Sequence, residues 1–524
     1  MGIYLNPGNV LLKQARKSEI FIDKSMMIAE LNQLVDSENK YVCISRPRRF
    51  GKSMAGNMLA AYYSKGCDSR ELFKDLKIAQ DKSYEEYLNK LNVIKIDMNA
   101  EFMSNHDEFL QVMQKRIMKD FAKVFPDVDF SDCRSFADCM LEVYAEKEET
   151  FVVIIDEYDV LVREKVPAAL FNDYLWFLNA LFKNSTLSPA ISLAYLTGIL
   201  PIVRDRIQSK LNLFTEYSMT NPMNLAEFVG FTAEETKGLC EQYGMDYDEC
   251  RRWYDGYDLK TVKEVFSPRS VVSAMQNREY GSYWTQTGSY EALKLYILMD
   301  FGGMKDDVIK MMGGGKVDVN VYKYLNTMTD FHSKDDVFTY LIHLGYLAYD
   351  RENRQCYIPN SEIREQWVFS VEYEENYAPI IKLVNDSKQL LEATLNKDEE
   401  AVAAALTEAH IRTTNPLTYN NEASFQSAIG LAYFYANLKY TVIKELPTGK
   451  GYADLALIPY VPNIPAMIIE LKNKKSVESA IRQIKEKKYD DLLEHYRGDL
   501  LFVGINYDPD TKEHQCKIEE CVIE

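Results

Sequence analysis

The stretch Tyr41-Val-Cys-Ile-Ser-Arg46-Pro-Arg-Arg-Phe-Gly51-Lys52-Ser53 decides how the first half of the chain folds. Tyr41–Ser45 is an apolar run of strand length, and a helical pattern begins near Met54. Between them lies a tight strand-to-helix loop that ends in Gly-Lys-Ser. Backbone N–H groups at a helix start wrap phosphate oxygens, and the helix dipole favours their negative charge. On this reading Arg46, Pro47, Arg48, Arg49, Phe50, Gly51, Lys52 and Ser53 line a phosphate site. Lys52 would reach the terminal phosphates of ATP and Ser53 would ligate Mg²⁺. One departure stands out: Arg46 occupies the first glycine position of G-x-x-x-x-G-K-S.

About 100 residues further on, Phe151-Val-Val-Ile-Ile-Asp156-Glu157 is an apolar run ending in two carboxylates. Asp156 is placed to hold the magnesium and its water, and Glu157 to polarise the attacking water as a general base. Ile191–Thr197 reads as a further strand ending in the small polar Thr197, a position that resembles the one where AAA-type ATPases place a sensor. Arg204 and Arg206 are either charge stabilisers or ordinary surface arginines. These runs, with Val93–Asp97, alternate with helical patterns over roughly the first 240 residues, which predicts a parallel α/β sheet. The continuous apolarity of Phe151–Ile155 marks a strand covered on both faces.

At 524 residues the chain is too long for a single core. A hydrophobic content of 47% and a charged content of 27% are those of a globular protein. The net charge of −18 argues against indiscriminate binding to nucleic acid or anionic membrane, while leaving room for a local basic groove. The nine cysteines are scattered with no C-x-x-C or Cys/His cluster, as expected of reduced thiols, and no zinc site is read. Met1–Lys13 lacks the order of a secretory signal, and no apolar stretch approaches a membrane span of about 18 residues. The expected compartment is the cytoplasm, with no membrane partner.

From about Asp246 aromatic residues become dense, in Trp253–Tyr257 and Tyr283–Trp284. After the Gly313–Gly315 break, Asp335–Leu347 reads as a helix, followed by a hairpin around Asp350–Cys356. That order is compatible with a winged-helix module. Asp386–His410 reads as wholly helical, ending by Thr414 because Pro416 cannot continue it. Mixed α/β character then returns: a helix from Ala423, strands near Tyr440–Glu445, Tyr452–Ile458 and Ala466–Lys472, a charged helix from Val477, and a strand at Leu500–Ile505. The expected domains are 1–245, a mostly helical middle at 246–375, a helical linker at 376–415, and 416–524.

Asp454 and Glu470 each lie eight residues from Pro462. A symmetric antiparallel register would set them opposite one another, with Cβ atoms about 4.5–5.5 Å apart. Lys472 then shares a face with Glu470, while Met467, Ile469, Leu471, Ala453, Leu455 and Leu457 point into the core. Two acids and a lysine on one face suit Mg²⁺-assisted phosphodiester hydrolysis, the acids binding metal and the lysine steadying the developing charge. The alternative is a hairpin whose outer face is merely solvated. The next helix carries Lys474, Lys475, Arg482, Lys485, Lys487 and Lys488, either a phosphate-backbone contact or a solvated face.

Taken together, these residues resemble a bacterial family in which an AAA-ATPase-like domain precedes a PD-(D/E)XK nuclease-like domain. The resemblance runs through Arg46–Ser53, Asp156-Glu-Tyr-Asp159, Trp253-Tyr-Asp-Gly-Tyr257, Tyr283–Gly288, Ile358-Pro-Asn360 and Asp454…Glu470-Leu-Lys472…Gln483. It implies a P-loop NTPase sheet at the N-terminus and a restriction-endonuclease-like α/β domain at the C-terminus. By the same resemblance Glu422, Asp454, Glu470, Lys472 and Gln483 form the nuclease core. Where the family often has arginine before the Ala-Asp pair, this chain has Tyr452. The expectation is an ATP- and Mg²⁺-using ATPase that controls a nuclease acting on DNA, with oligomers open. The alternative is a nucleotide-driven switch or scaffold whose nuclease-like domain only binds.

Overall fold

A continuous parallel sheet organises the first part of the chain, because its strands are too apolar to leave a face in water. The structure, a computed structural model, describes residues 2–164, 166–202, 213–284, 301–322, 331–371, 378–413, 439–448, 451–459, 464–487 and 499–521, with positions 293, 299, 429–430, 432–433 and 435–436. Glu422, Arg204, Arg206, Lys488, residues 285–288, Asn415, Pro416, Pro462 and the start of the helix expected from Ala423 lie outside the described residues. Contacts divide the chain into two units, 1–283 with 317–360, and 284–316 with 361–524.

In the first unit β1 (Tyr41–Ser45), β2 (Asn92–Asp97), β3 (Phe151–Asp156), β4 (Ile191–Gly198) and β5 (Thr215–Tyr217) form one sheet in the order β2-β3-β4-β1-β5. All its pairings are parallel. The four expected runs are strands; β5 was not legible as one. β4 separates β1 from β3, pairing Ile44 with Thr197 on one side and Ile155 with Leu196 on the other. The carboxyl ends of three strands therefore meet at one sheet edge, the place where open α/β sheets bind ligands.

Beyond the sheet come β6 (Phe231–Thr232) and β7 (Val265–Phe266), an antiparallel pair. The helix Lys334–Leu344 is followed by β9 (Ala348–Asp350) and β10 (Gln355–Tyr357), with β8 (Val317–Asp318) on the outer side of β10. The helix-then-hairpin order expected from the sequence is present. Trp253–Tyr257 closes the helix Tyr247–Tyr254 and turns at Gly256, whose φ is +115°. A Cβ there would lie 2.3 Å from the Pro359 carbonyl oxygen, so both torsion and space require glycine. The Asn360 amide donates to the Asp255 carbonyl at 2.7 Å, and the Tyr357 hydroxyl to that of Gly256 at 3.0 Å.

In the second unit β11 (Tyr440–Thr448), β12 (Gly451–Pro459), β13 (Ala466–Asn473), β14 (Leu500–Asp508) and β15 (Glu513–Glu520) form a sheet in chain order. Only β13 and β14 run parallel. Three sequence expectations need correction here. The predicted helix over Asp386–His410 is two helices, Ala378–Leu395 and Glu399–Thr413. The break is local: Lys397 takes φ +58°, and the Asp398 side chain accepts the Ala401 N–H, starting a new helix. Second, the sheet is covered on both faces. Leu455, Leu457, Met467, Ile469 and Leu471 pack with Leu390, Leu391, Val402 and Leu406, while Ala466 and Ile468 pack with Ile481 and Ile484. Third, Ala453 joins the Ile468 side rather than that of Leu455 and Leu457. Period two fails at Asp454, where the ladder to β13 stops at Leu455 and Glu445 on β11 takes φ +52°.

Asp255 gives this fold a pH dependence. Burial, aided by the charge of Glu264 and opposed by Arg251, pushes its carboxyl up to about 7. The folded state holds this proton to higher pH than the unfolded chain, whose aspartates titrate near ~3.9. The resulting stability is therefore present below that value and lost as pH rises through about 7. Asp255→Asn should raise the thermal unfolding midpoint by a few degrees at alkaline pH, because Arg251 keeps its ion pair with Glu264. The gap to the wild type should shrink as pH falls towards about 4, and a gap independent of pH would show that burial of this charge is not the cause.

Candidate active sites

The phosphate loop leaves β1 with its ladder continued one step, the Arg46 N–H reaching the Gly198 carbonyl at 3.1 Å. The Arg46 side chain is wholly buried. Its Nη1 donates to the carbonyls of Ser45 at 3.0 Å and Tyr217 at 2.9 Å, and Nε and Nη2 have no partner among the described residues. Burial pulls this guanidinium down to about 9. Pro47 is buried and Arg48 exposed. Arg49, at φ +70°, donates to the Tyr283 carbonyl at 2.7 Å. Phe50 is buried and meets the Tyr257 ring edge-on, centroids 5.4 Å apart. Gly51, at φ +93°, starts the helix Lys52–Tyr63.

Lys52 points inward. Its ammonium donates to the carbonyls of Arg46 at 2.9 Å and Pro47 at 2.8 Å. Burial pulls it down to about 8, against the charges of Asp159, Asp156 and Glu157, which raise it. Ser53 is exposed at the helix start. Asp156 is buried at the end of β3, and Thr197 on the neighbouring strand donates its hydroxyl to that carboxylate. The hydroxyl expected to act as a sensor and the acid expected to hold magnesium are thus joined directly. Glu157 takes φ +51° and its carboxylate accepts the Arg163 guanidinium at 2.6 Å.

Sequence reasoning left Asp159 and Arg163 without roles. Asp159 accepts the N–H groups of Ile199 and Leu200, each at 2.9 Å, which fixes the exit of β4 beside the site. Arg163 bridges Glu157 and Asp159, a link for which the i, i+4 spacing of Asp159 and Arg163 was the available signal.

In the second unit the register expected from the sequence is present, with Leu455 opposite Ile469 and Leu457 opposite Met467. Continuing it one step would set Asp454 against Glu470; instead the Asp454 carboxylate accepts the Leu471 N–H at 2.7 Å. Glu470 is buried. Its Oε1 accepts the Lys472 ammonium at 2.7 Å and the Gln483 amide, while Oε2 has no hydrogen-bond partner among the described residues. Burial raises its pKa, Lys472 opposes this, and Asp454 raises it further. Asp454, Glu470, Lys472 and Gln483 are therefore brought together as expected by resemblance. A buried, incompletely satisfied carboxylate oxygen beside a second acid is a donor set that fits a divalent cation. Among the described residues no group of three His, Cys, Asp or Glu side chains forms a ready-made metal cluster. The basic segment is less cationic than its sequence, and Lys474 and Lys475 precede its helix, Val477–Glu486, instead of lying on it as expected. Lys474 pairs with Asp510 at 3.6 Å, Arg482 with Glu486 at 3.9 Å, and Lys485 with Glu519 at 2.6 Å.

Two family models match parts of the chain. Residues 13–208 match the family described as predicted AAA-ATPase, and residues 420–517 match the PD-(D/E)XK nuclease superfamily. A curated relative, an uncharacterized protein in the vnfD 5′ region of Azotobacter chroococcum mcd 1, is 25% identical over 264 residues. The match spans 49% of this chain and 49% of that relative. Among solved structures, the Aeropyrum pernix ORC1 protein in complex with DNA aligns with 73% of this chain and 100% of that chain, at 12% identity and a TM-score of 0.28. The Aeropyrum pernix ORC2 protein (ADPNP-ADP complexes) aligns with 70% of this chain and 98% of that chain, at 12% identity and a TM-score of 0.30.

Gly51 allows a direct test of the loop geometry. A Cβ at this position would meet nothing within 4 Å, so the cost of Gly51→Ala is torsional alone. The variant should lose about 1–2 kcal/mol in denaturant unfolding. No loss would mean the loop does not hold its left-handed turn.

Proposed function

We propose that this chain, an AAA-ATPase-like domain followed by a PD-(D/E)XK nuclease-superfamily domain, binds and hydrolyses ATP with Mg²⁺ and so controls a Mg²⁺-dependent nuclease acting on DNA. The observation that carries this reading is the buried Glu470, which accepts from Lys472 and Gln483 and has one oxygen without a hydrogen-bond partner among the described residues. Burying such a carboxylate is costly, and a divalent cation is the group that offsets it best.

In the ATPase, Lys52 would exchange the carbonyls of Arg46 and Pro47 for phosphate oxygens, and backbone N–H groups after Gly51 would hold the phosphate charge. Ser53 and Asp156 would hold Mg²⁺, which supplies charge neutralisation of the phosphates when bound. Thr197, already bonded to Asp156, would register its state. Glu157 is assigned as the general base, a role it takes up only after parting from Arg163. In the nuclease, Asp454 and Glu470 would hold Mg²⁺ and Lys472 would steady the charge developing on the scissile phosphate. Gln483 orients Glu470, and Glu422 is assigned to the same core by resemblance.

All nine cysteines are free thiols, in keeping with a reducing compartment such as the cytoplasm of a bacterium. No helix among the described residues is long and apolar enough to cross a membrane. A second reading, a nucleotide-driven switch whose nuclease-like domain only binds, draws support from the pairing of Lys474, Arg482 and Lys485 with acids. That pairing weakens the attraction to a phosphate backbone.

Lys52→Ala should reduce ATP turnover by at least ~100-fold with the circular dichroism spectrum unchanged, and undiminished turnover would remove the ATPase assignment. Separately, Glu470→Gln and Asp454→Ala should each abolish Mg²⁺-dependent cleavage in an assay with several DNA and RNA forms. Cutting that persists in both variants eliminates the nuclease reading, and no cutting by the wild type under any nucleotide condition favours the switch.

A further inference from the structure

Three side chains of the phosphate loop are seated on the later part of the same unit. Arg46 reaches the Tyr217 carbonyl, Arg49 the Tyr283 carbonyl, and Phe50 the ring of Tyr257. Trp253–Tyr257 gathers two of these contacts. The Tyr254 hydroxyl bonds both backbone groups of Gly281, at 2.9 and 3.1 Å, two residues before Tyr283. The Tyr257 hydroxyl donates to the Gly345 carbonyl at 2.6 Å, where the helix Lys334–Leu344 turns towards the β9–β10 hairpin. That hairpin is held to the same segment from its other side. Arg351 donates to the carbonyls of Asp258 at 2.8 Å and Met219 at 2.6 Å, while Tyr357 and Asn360 hold the backbone at Gly256 and Asp255.

The loop has a reason to change when it is filled. The Lys52 ammonium donates to the carbonyls of Arg46 and Pro47, the residues that lead into Arg49 and Phe50. Polyphosphate oxygens compete for that ammonium, and its departure frees two carbonyls at the base of the loop. Occupancy would therefore give the loop a second arrangement with different partners, which a ligand needs in order to shift an equilibrium. Its side chains have no slack in which to absorb the change, because Arg46 and Phe50 are fully buried.

We propose that Trp253–Tyr257 transmits occupancy of the phosphate loop to the 345–360 segment, whose exposed tip, Glu352–Arg354, is the surface that presents the signal. The inference rests on the reading that the loop binds a nucleotide. It assigns to Tyr257 a positioning role: the ring senses Phe50 and the hydroxyl holds Gly345. The coupling is reciprocal, so loosening the hairpin must also alter the loop.

The test is hydrogen–deuterium exchange on the full chain, with and without a saturating non-hydrolysable ATP analogue and Mg²⁺, with nucleotide affinity measured in parallel. In the wild type, nucleotide should change exchange in peptides covering 345–360. Tyr257→Phe keeps the ring on Phe50 and removes only the hydroxyl bond. It should bind nucleotide within about threefold of the wild type while losing at least half of that response. Arg351→Gln, which severs two carbonyl bonds from the hairpin side, should act in the same way and serves if the tyrosine variant fails to fold. A wild type that binds nucleotide but shows no change at 345–360, or variants that respond in full, overturn the relay alone. A wild type that binds no nucleotide overturns the ATPase reading and the relay with it.

Discussion

The burial of the Lys52 ammonium is the constraint on which the N-terminal unit depends. A cation taken out of water must find oxygens, and here it takes two carbonyls of its own loop with three acids nearby. That arrangement requires a loop closed tightly enough to aim those carbonyls inward, and strand ends that bring the acids alongside. The sheet order supplies the second condition. With β4 between β1 and β3, Thr197 ends the strand between that of the loop and that of Asp156, and its hydrogen bond to Asp156 locks adjacent strand ends together. Asp159 completes the frame by taking the first two N–H groups after β4. The site is therefore built from strand termini and needs few loop residues to position it.

Electrostatics works differently in the nuclease-like unit. Glu470 is drawn towards neutrality by burial and by Asp454, and towards ionisation by Lys472. Balanced influences of this kind are typical of groups that must exchange a proton or a neighbour for a cation. The surrounding basic segment contributes less charge than its composition suggests, because Lys474 before the helix and Arg482 and Lys485 within it face acids.

How much of this was legible in the sequence follows from the range of the interactions involved. Runs such as Phe151–Asp156 and Ile191–Thr197 declared themselves because strand burial is written in consecutive apolar residues. The register that places Leu455 opposite Ile469 followed from counting about Pro462, since a hairpin pairs its residues symmetrically. The break at Asn396–Asp398 stayed hidden because it is set by a single left-handed residue, Lys397, in an otherwise helical composition. The three-residue strand β5 was too short to carry a period. The face taken by Ala453 was misread because period two cannot reveal where a strand is irregular. The contact of Phe50 with Tyr257 joins residues far apart in the chain, and no local pattern encodes it.

Arg46 shows what replaces the first glycine of a phosphate loop. Glycine there gives the backbone freedom to curl; in this chain the curl is carried by Arg49 and Gly51, the positions with positive φ. Arg46 itself stays in the ladder through its N–H, and its side chain runs under the loop to β5. Two of its guanidinium nitrogens go without partners among the described residues, a cost that the fold meets elsewhere. A flexible hinge has been exchanged for an anchor, so this loop is fixed at its base by a buried charge. Any movement within it is then confined to the segment between Arg46 and Gly51, where the residues in contact with Tyr257 and Tyr283 lie.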